Sequence, residues 1–408
     1  MERENTQQTL SKINSLLEKE FSAAVKLLAD TDIPEMEYFL RLGEDCWNME
    51  SIAVKPPRFV IVGSTFPAAF LPIQPTVGVL WITGGSRTCT ELSDEWLPRD
   101  TDPISRSVLG QLLLFEDILK ESTLIVPLYN DSQKKMLTFL IERGFQVLTL
   151  DIPADKGSQE AVSAFSAELS VLQRDIAMRQ KCLLFRSRIR KSCFSMQAAA
   201  EELAFFEEAA RQRENVLSDI SRLFIRNSFY LTGDIVTWQK KLKALRERIE
   251  VMPTAECKNA PRILIAGSSI FFPNYKLPEL LASSGLTLAG IVDSTHGMFE
   301  AAIYTAQDWL ARDCSASYIR NDTFLSAVRT CYAAQHCDGI LWHVLKGQIE
   351  YDYELTRFEE MTKADSIPIL RLETDYQYQD VEQLRIRVEA FGEMLRTRKR
   401  VQPSKASD

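Results

Sequence analysis

Residues 261–297 read PRILIAGSSIFFPNYKLPELLASSGLTLAGIVDSTHG. An apolar run, RILIAG (262–267), meets a Gly-Ser turn, a helical pattern follows near 276–284, and a second apolar run, LTLAGIV (286–292), begins. Strands that are apolar along their whole length have both faces covered, the mark of a mostly parallel sheet with helices on each side. DGILWHV (338–344) and IPILRLE (367–373) continue the alternation, with helical patterns near 298–312, 322–336, 353–364 and 378–397. Upstream, RFVIVG, VGVLWI, TLIVPL and QVLTLD, between residues 58 and 151, alternate with SRSVLGQLLLFEDILKE and DSQKKMLTFLIER. Residues 156–252 hold no strand-like run and almost no Gly or Pro, so they read as long helices. Before the first lobe, Ile13, Leu16, Leu17, Phe21, Ala24, Val25 and Leu28 form the stripe of an amphipathic helix over 6–30. The expected fold is α/β: two open parallel-sheet lobes with N-terminal and central helical segments. The expected boundaries are 1–50 for the N-terminal helical segment, 51–155 for the first lobe, 156–255 for the helical segment, 256–400 for the second lobe and 401–408 for a disordered tail.

With 408 residues, 45% of them hydrophobic, the chain is long enough for two or three cored domains. A net charge of −8 argues against nucleic acid as the main partner, and the basic run Arg396, Arg398, Lys399, Arg400 reads as a solvated helix end. No apolar stretch has the roughly 18 residues of a membrane span. The first 30 residues carry Glu2, Glu4, Glu18 and Glu20 without an apolar leader core, so a cytoplasmic location is expected. Eight scattered cysteines include no C-x-x-C pair, and only His296, His336 and His343 are present, which gives a His-based metal site or a Ser-His-Asp triad little material. Neither G-x-x-x-x-G-K-[ST] nor G-x-G-x-x-G occurs, so no signature for binding ATP or a dinucleotide is present.

The segment 261–297 is also similar to the opening of the C-terminal domain in the 2-hydroxyacyl-CoA dehydratase and benzoyl-CoA reductase family. CDGILWHVLKGQIEYDYEL (337–355) and IPILRLETDYQYQDVEQLRIRVEAFGEML (367–395) resemble the segments that follow it, the latter through Glu373, Thr374, Asp375, Gln383, Arg385, Arg387 and Phe391. FPAAF (66–70), LPRDTDPISRSVLGQLL (97–113) and NDSQKKM (130–136) run in the family's order through the first lobe. The resemblance implies Rossmann-like lobes around a cleft that holds an iron–sulfur cluster on cysteine thiolates. It further implies an ATP-dependent activator that injects one electron, so that an α-hydroxyacyl-CoA is dehydrated or an aromatic ring reduced.

This chain departs from the family at the ligand positions the resemblance implies. Ser64, Asp102, Asn130, Ser268, Ser294 and Gln348 stand where the family has cysteine, and in its C-x-C motif Cys314 remains while the second position is Ala316. Oxygen donors do not replace thiolates on such clusters, so no cofactor and no metal are expected in this chain, and a cluster only in a cysteine-bearing paralogous subunit. Two readings of the substituted positions stay open: a polar inter-lobe pocket for a small polar ligand or part of an acyl-CoA, and local capping, for which Asp102 before Pro103 has the form of a helix N-cap. His296, His343 and Lys346 are candidates for the cleft rim, with a partly buried structural role as the alternative for His343. Glu373 and Asp375 read as loop-shaping. The expected function is a non-redox subunit of a heteromeric acyl-CoA dehydratase or reductase, at most a lyase acting with its partner. The competing expectation is a stand-alone small-molecule- or acyl-CoA-binding or regulatory protein.

Overall fold

The computed structural model describes residues 2–28, 32–45, 48–73, 79–182, 185–213, 216–253, 260–299 and 303–401. Cys46, Cys257, most of the linker after Pro253 and residues 402–408 lie outside the described residues; of the tail expected over 401–408, Val401 is the last residue of the helix Val381–Val401. Two four-stranded sheets, all parallel, organise the chain. The first comprises β1 (Phe59–Val62), β2 (Val79–Ile82), β3 (Thr123–Leu128) and β4 (Gln146–Asp151); the second, β5 (Arg262–Gly267), β6 (Thr287–Val292), β7 (Gly339–Leu345) and β8 (Ile369–Thr374). The orders β2-β1-β3-β4 and β6-β5-β7-β8 are the same topology twice. Register is pinned by pairs such as Ile61↔Ile125 and Leu264↔Ile340. In both lobes the strand order reverses between the first and third strands, the place where open α/β sheets form a crevice at their carboxyl ends.

The strands are buried on both faces, as their unbroken apolar runs require. In β5, Ile263 and Ile265 face a core that runs through both lobes and the central helices. Leu264 and Ala266 face a second cluster built from Phe324, Trp342 and Phe358. The central region is helical over Gln159–Arg179, Phe185–Gln212, Asp219–Asn227 and Ile235–Val251. The N-terminal helix Glu2–Lys26 touches both lobes: Phe21 packs edge-on against Phe272 at 5.2 Å, and the Glu20 carboxylate accepts from the Arg87 and Thr88 amides.

Two segments differ from the sequence pattern. The helix read over 298–312 is a 3₁₀ turn, His296–Phe299, and a separate helix, Ala306–Arg312. A Thr305/Asp308 capping box starts the second, and a Cβ on Gly297 would lie 1.7 Å from the Arg312 carbonyl oxygen, so the two pieces fold against each other. The run read as one helix after Asp102 is Pro103–Leu114 followed by Glu116–Leu119, broken at the buried Phe115. The basic run at the C-terminal end grips its own lobe: Arg396 donates to the Ser284 carbonyl, Arg398 to that of Ser366, and Lys399 pairs with Asp338. Among the described residues no helix is long and apolar enough to cross a membrane.

The lobes meet at their strand ends with no room to spare. At Gly85, past β2, φ is +101° and a Cβ would lie 2.5 Å from the Phe272 carbonyl oxygen of the other lobe. Gly144 has a similar φ of +83° with nothing within 4 Å of its Cβ position. Gly144→Ala therefore carries only the left-handed penalty, roughly 1–2 kcal/mol, whereas Gly85→Ala adds the collision. Denaturant unfolding should find Gly85→Ala less stable than Gly144→Ala; equal losses would mean that the contact yields freely.

Candidate functional site

Parallel sheets set end to end bring the loops after their strands into one place. Ser64 follows β1, Asn130 follows β3, Ser269 follows β5, Ser294 follows β6 and Gln348 follows β7, and all five line one cavity of about 40 Å³ between the lobes. Asp102, Ser105, Tyr129, Gln133, Ser315, Ala316, Glu350 and Tyr351 complete most of the wall. Roughly 10–15 Å³ suffices for one water by this measure, so the cavity has room for about three. Apart from Ile104 and Ala316 the lining is hydroxyl, phenol, amide and carboxylate, and among the described residues it includes no sulfur and no Lys, Arg or His.

Five of the six positions that the resemblance equates with cysteines converge here, and two of them also cap helices. Asp102 Oδ1 accepts the Ser105 amide at 3.0 Å, opening the helix Pro103–Leu114. Asn130 Oδ1 accepts the Gln133 amide at 3.0 Å, opening the helix Asp131–Glu142. Capping and cavity lining coexist because each side chain has a second polar atom. Gln348 is no cap: its Nε2 reaches Asp102 Oδ1 at 3.4 Å, across 246 residues of chain. Ser294 Oγ shares a 2.9 Å hydrogen bond with Ser269 Oγ, and the Ser294 carbonyl accepts from Thr65 of the first lobe at 3.3 Å.

Ser268, the sixth, stands apart from the cavity wall. Its Oγ accepts the Leu345 amide at 2.8 Å and its carbonyl faces His343 Nδ1 at 2.8 Å, which ties β5 to β7. His343 is fully enclosed, with Nε2 2.8 Å from Thr374 Oγ1. Burial holds its pKa down at about 4, so the ring is neutral near pH 7: Nδ1–H donates to the Ser268 carbonyl, and Nε2 accepts from the Thr374 hydroxyl. Lys346 is exposed and does not line the cavity. His296 lines a different, larger cavity of about 120 Å³ beside Arg226 and Cys331. Glu373 pairs with Arg371 two residues earlier in β8, and Asp375, just past the strand, accepts the Tyr376 amide.

Acidic groups around the cavity divide into two kinds. Asp313 is paired with Lys156 at 2.8 Å, and Asp293 lies 4.0 Å from Arg226. Lys156 also donates to the Ser315 carbonyl at 2.6 Å, so one lysine from the end of the first lobe fixes the loop that carries Ser315 and Ala316. Asp102 and Glu350 have no such partner among the described residues. Burial, and next the Asp102 charge, push the Glu350 carboxyl above the usual carboxylate range. Burial likewise raises the Tyr129 phenol, so it stays protonated. Sequence reasoning missed Glu350, Tyr129 and Ser269. Glu350 reads as an ordinary first-turn acid, and only the serine pair after Gly267 hinted that the inward hydroxyl sits one residue later.

A sequence model of the family described as 2-hydroxyglutaryl-CoA dehydratase, D-component, matches residues 61–395. The Escherichia coli (strain K12) protein described as "Putative dehydratase subunit YjiM" is 23% identical over 354 residues, covering 81% of this chain and 90% of the relative.

Two outcomes follow from this geometry. Asn130→Ala should cost about 1 kcal/mol as a lost cap, while Gln348→Ala, which caps nothing, should stay within about 0.5 kcal/mol; a reversed order in chemical denaturation would contradict the assignment. For His343 the unfolded ring takes a proton below its ordinary pKa of 6.5 and the folded ring only below about 4. Stability therefore falls as pH drops through that window, by something on the order of 2–3 kcal/mol. His343→Gln should flatten the pH dependence between those limits, and an unchanged slope would rule out the histidine as its source.

Proposed function

The chain belongs to the 2-hydroxyglutaryl-CoA dehydratase D-component family, and from that premise we propose that it is a cytoplasmic, non-redox subunit of a heteromeric 2-hydroxyacyl-CoA dehydratase or related reductase. In this reading it holds no iron–sulfur cluster; a cysteine-bearing paralogous subunit carries the cluster and receives the electron from an ATP-dependent activator. The observation that carries the reading is the donor set of the inter-lobe cavity, which offers oxygen where iron needs thiolate sulfur. Ala316 presents a methyl group there, and Cys314, two residues earlier, is buried with its Sγ turned to the Arg312 carbonyl at 3.5 Å. The other buried thiols, Cys89 and Cys337, do not line the cavity, and burial raises both, Cys337 to about 12. The residues present do not fit a cluster, so no redox step is assigned to this chain.

A cavity with room for about three waters is too small for an acyl group. The substrate is then held chiefly by the partner, with this chain supplying a fixed surface. A second reading, a stand-alone binding or regulatory protein, draws on the closure of the cavity within one chain.

Co-expression with a cysteine-bearing paralogue from the same genome separates these readings. The subunit reading expects a stoichiometric complex on affinity purification under anaerobic conditions, with iron and broad absorbance near 400 nm only when the partner is present. A chain that remains alone whatever paralogue is supplied favours the stand-alone reading. About four irons per chain in the isolated protein would overturn both.

A further inference from the structure

Asp102 is 2% exposed, yet only one of its carboxylate oxygens is used. Oδ1 accepts the Ser105 amide and the Gln348 Nε2; Oδ2 is buried with no protein partner among the described residues. Gln348 Oε1 is in the same position, buried and unpartnered, with its orientation fixed because the amide nitrogen points at Asp102. Glu350 lines the same cavity, and no cationic side chain does. A carboxylate as enclosed as that of Asp102 is costly without a partner, and the fold supplies cations to the neighbouring Asp313 and Asp293 but, among the described residues, neither to Asp102 nor to the half-buried Glu350.

We propose that the inter-lobe cavity binds a hard divalent cation of the calcium or magnesium class through Asp102, Gln348 and Glu350. The inference rests on the reading that no cluster occupies this space. Two uncompensated carboxylates match a double positive charge, and carboxylate, amide carbonyl and water oxygens are the ligands such ions take. The volume suits an ion with one or two waters. A proton on Glu350 together with water in the cavity is the competing way to reduce the charge and supply donors, and burial favours the proton; a saturable response to a divalent ion separates the two.

The test uses the full chain after chelator dialysis, with iron content measured beforehand so that failure of the cluster reading is seen separately. Calcium chloride and magnesium chloride are titrated in thermal-shift and calorimetric assays against potassium chloride of matched ionic strength. At least one divalent ion should give a saturable stabilisation that potassium does not. Asp102→Asn is the informative variant, because Asn caps a helix as well as Asp does and the fold is retained. It should weaken binding tenfold or more, as should Glu350→Gln. Without divalent ions Asp102→Asn should melt above the wild type, since it relieves an unmatched buried charge; with saturating ion that order should reverse. A divalent effect no larger than that of potassium, or one undiminished in Asp102→Asn, overturns the proposal.

Discussion

The carbonyl oxygen of Phe272 stands where a side chain at position 85 would begin, and everything else in this fold is arranged around that approach. A second contact of the same kind lies across the cavity, where a Cβ on Gly347 would come within 2.6 Å of the Asp100 carbonyl oxygen. Backbone against backbone at these distances admits only glycine, whose left-handed φ at both positions has no steric cost. These contacts set the strand ends of one sheet against those of the other. Loops that would rim an open cleft in a looser arrangement instead close over a space of a few waters. The one shared core reinforces this, since no apolar boundary separates the lobes along which they would part.

Such closure raises the stakes for every polar group near the seam, and most are matched. Lys276, 2% exposed, donates to the carbonyls of Asp375 and Gln377 and to Asp380, so the turn after β8 is folded around a buried ammonium. Asn227 reaches the Ile270 carbonyl and the Tyr275 hydroxyl, tying a central helix to the loop after β5. Arg222 and Asp219 bond the carbonyl and amide of Leu288, which blunts the exposed edge of β6. Buried polar atoms without a partner among the described residues remain elsewhere, on Thr101, Glu354 and Tyr376 among others; those of Asp102 and Gln348 stand apart because these two residues line the inter-lobe cavity.

The fold was legible because both-faced burial leaves an unambiguous trace: the apolar runs fall within a residue or two of the eight strands. Where the pattern failed, the cause was tertiary. Helical periodicity near 298–312 cannot register that Gly297 must lie against Arg312, nor can the run after Asp102 announce the break at Phe115. The candidate site was legible in outline, since five of the six positions singled out by the resemblance share one cavity. It was not legible in detail. Which of two adjacent serines points inward depends on strand register, Glu350 has no local signature, and His296 and Lys346 sit on the right loops but face elsewhere.

The tolerance of two acids in so small a space has a physical source in the helices themselves. Asp102 is the N-cap of Pro103–Leu114, and Glu350 is the first residue of Glu350–Met361, so each carboxylate sits at the positive end of a helix. Asn130 brings a third helix N-terminus to the same wall. Each terminus carries roughly half a positive charge and stabilises a nearby anion by about 0.3–1 kcal/mol, up to about 2 when partly buried. That is enough to keep Asp102 in place but not to match a carboxylate removed from water. The local field is therefore fixed by backbone geometry that the strand–turn–helix topology imposes, whatever side chains occupy the turns. Asp, Asn, Ser and Gln at these turns set hard oxygen donors beside helix ends that favour anions, and that pairing, more than any single side chain, gives the cavity its chemistry.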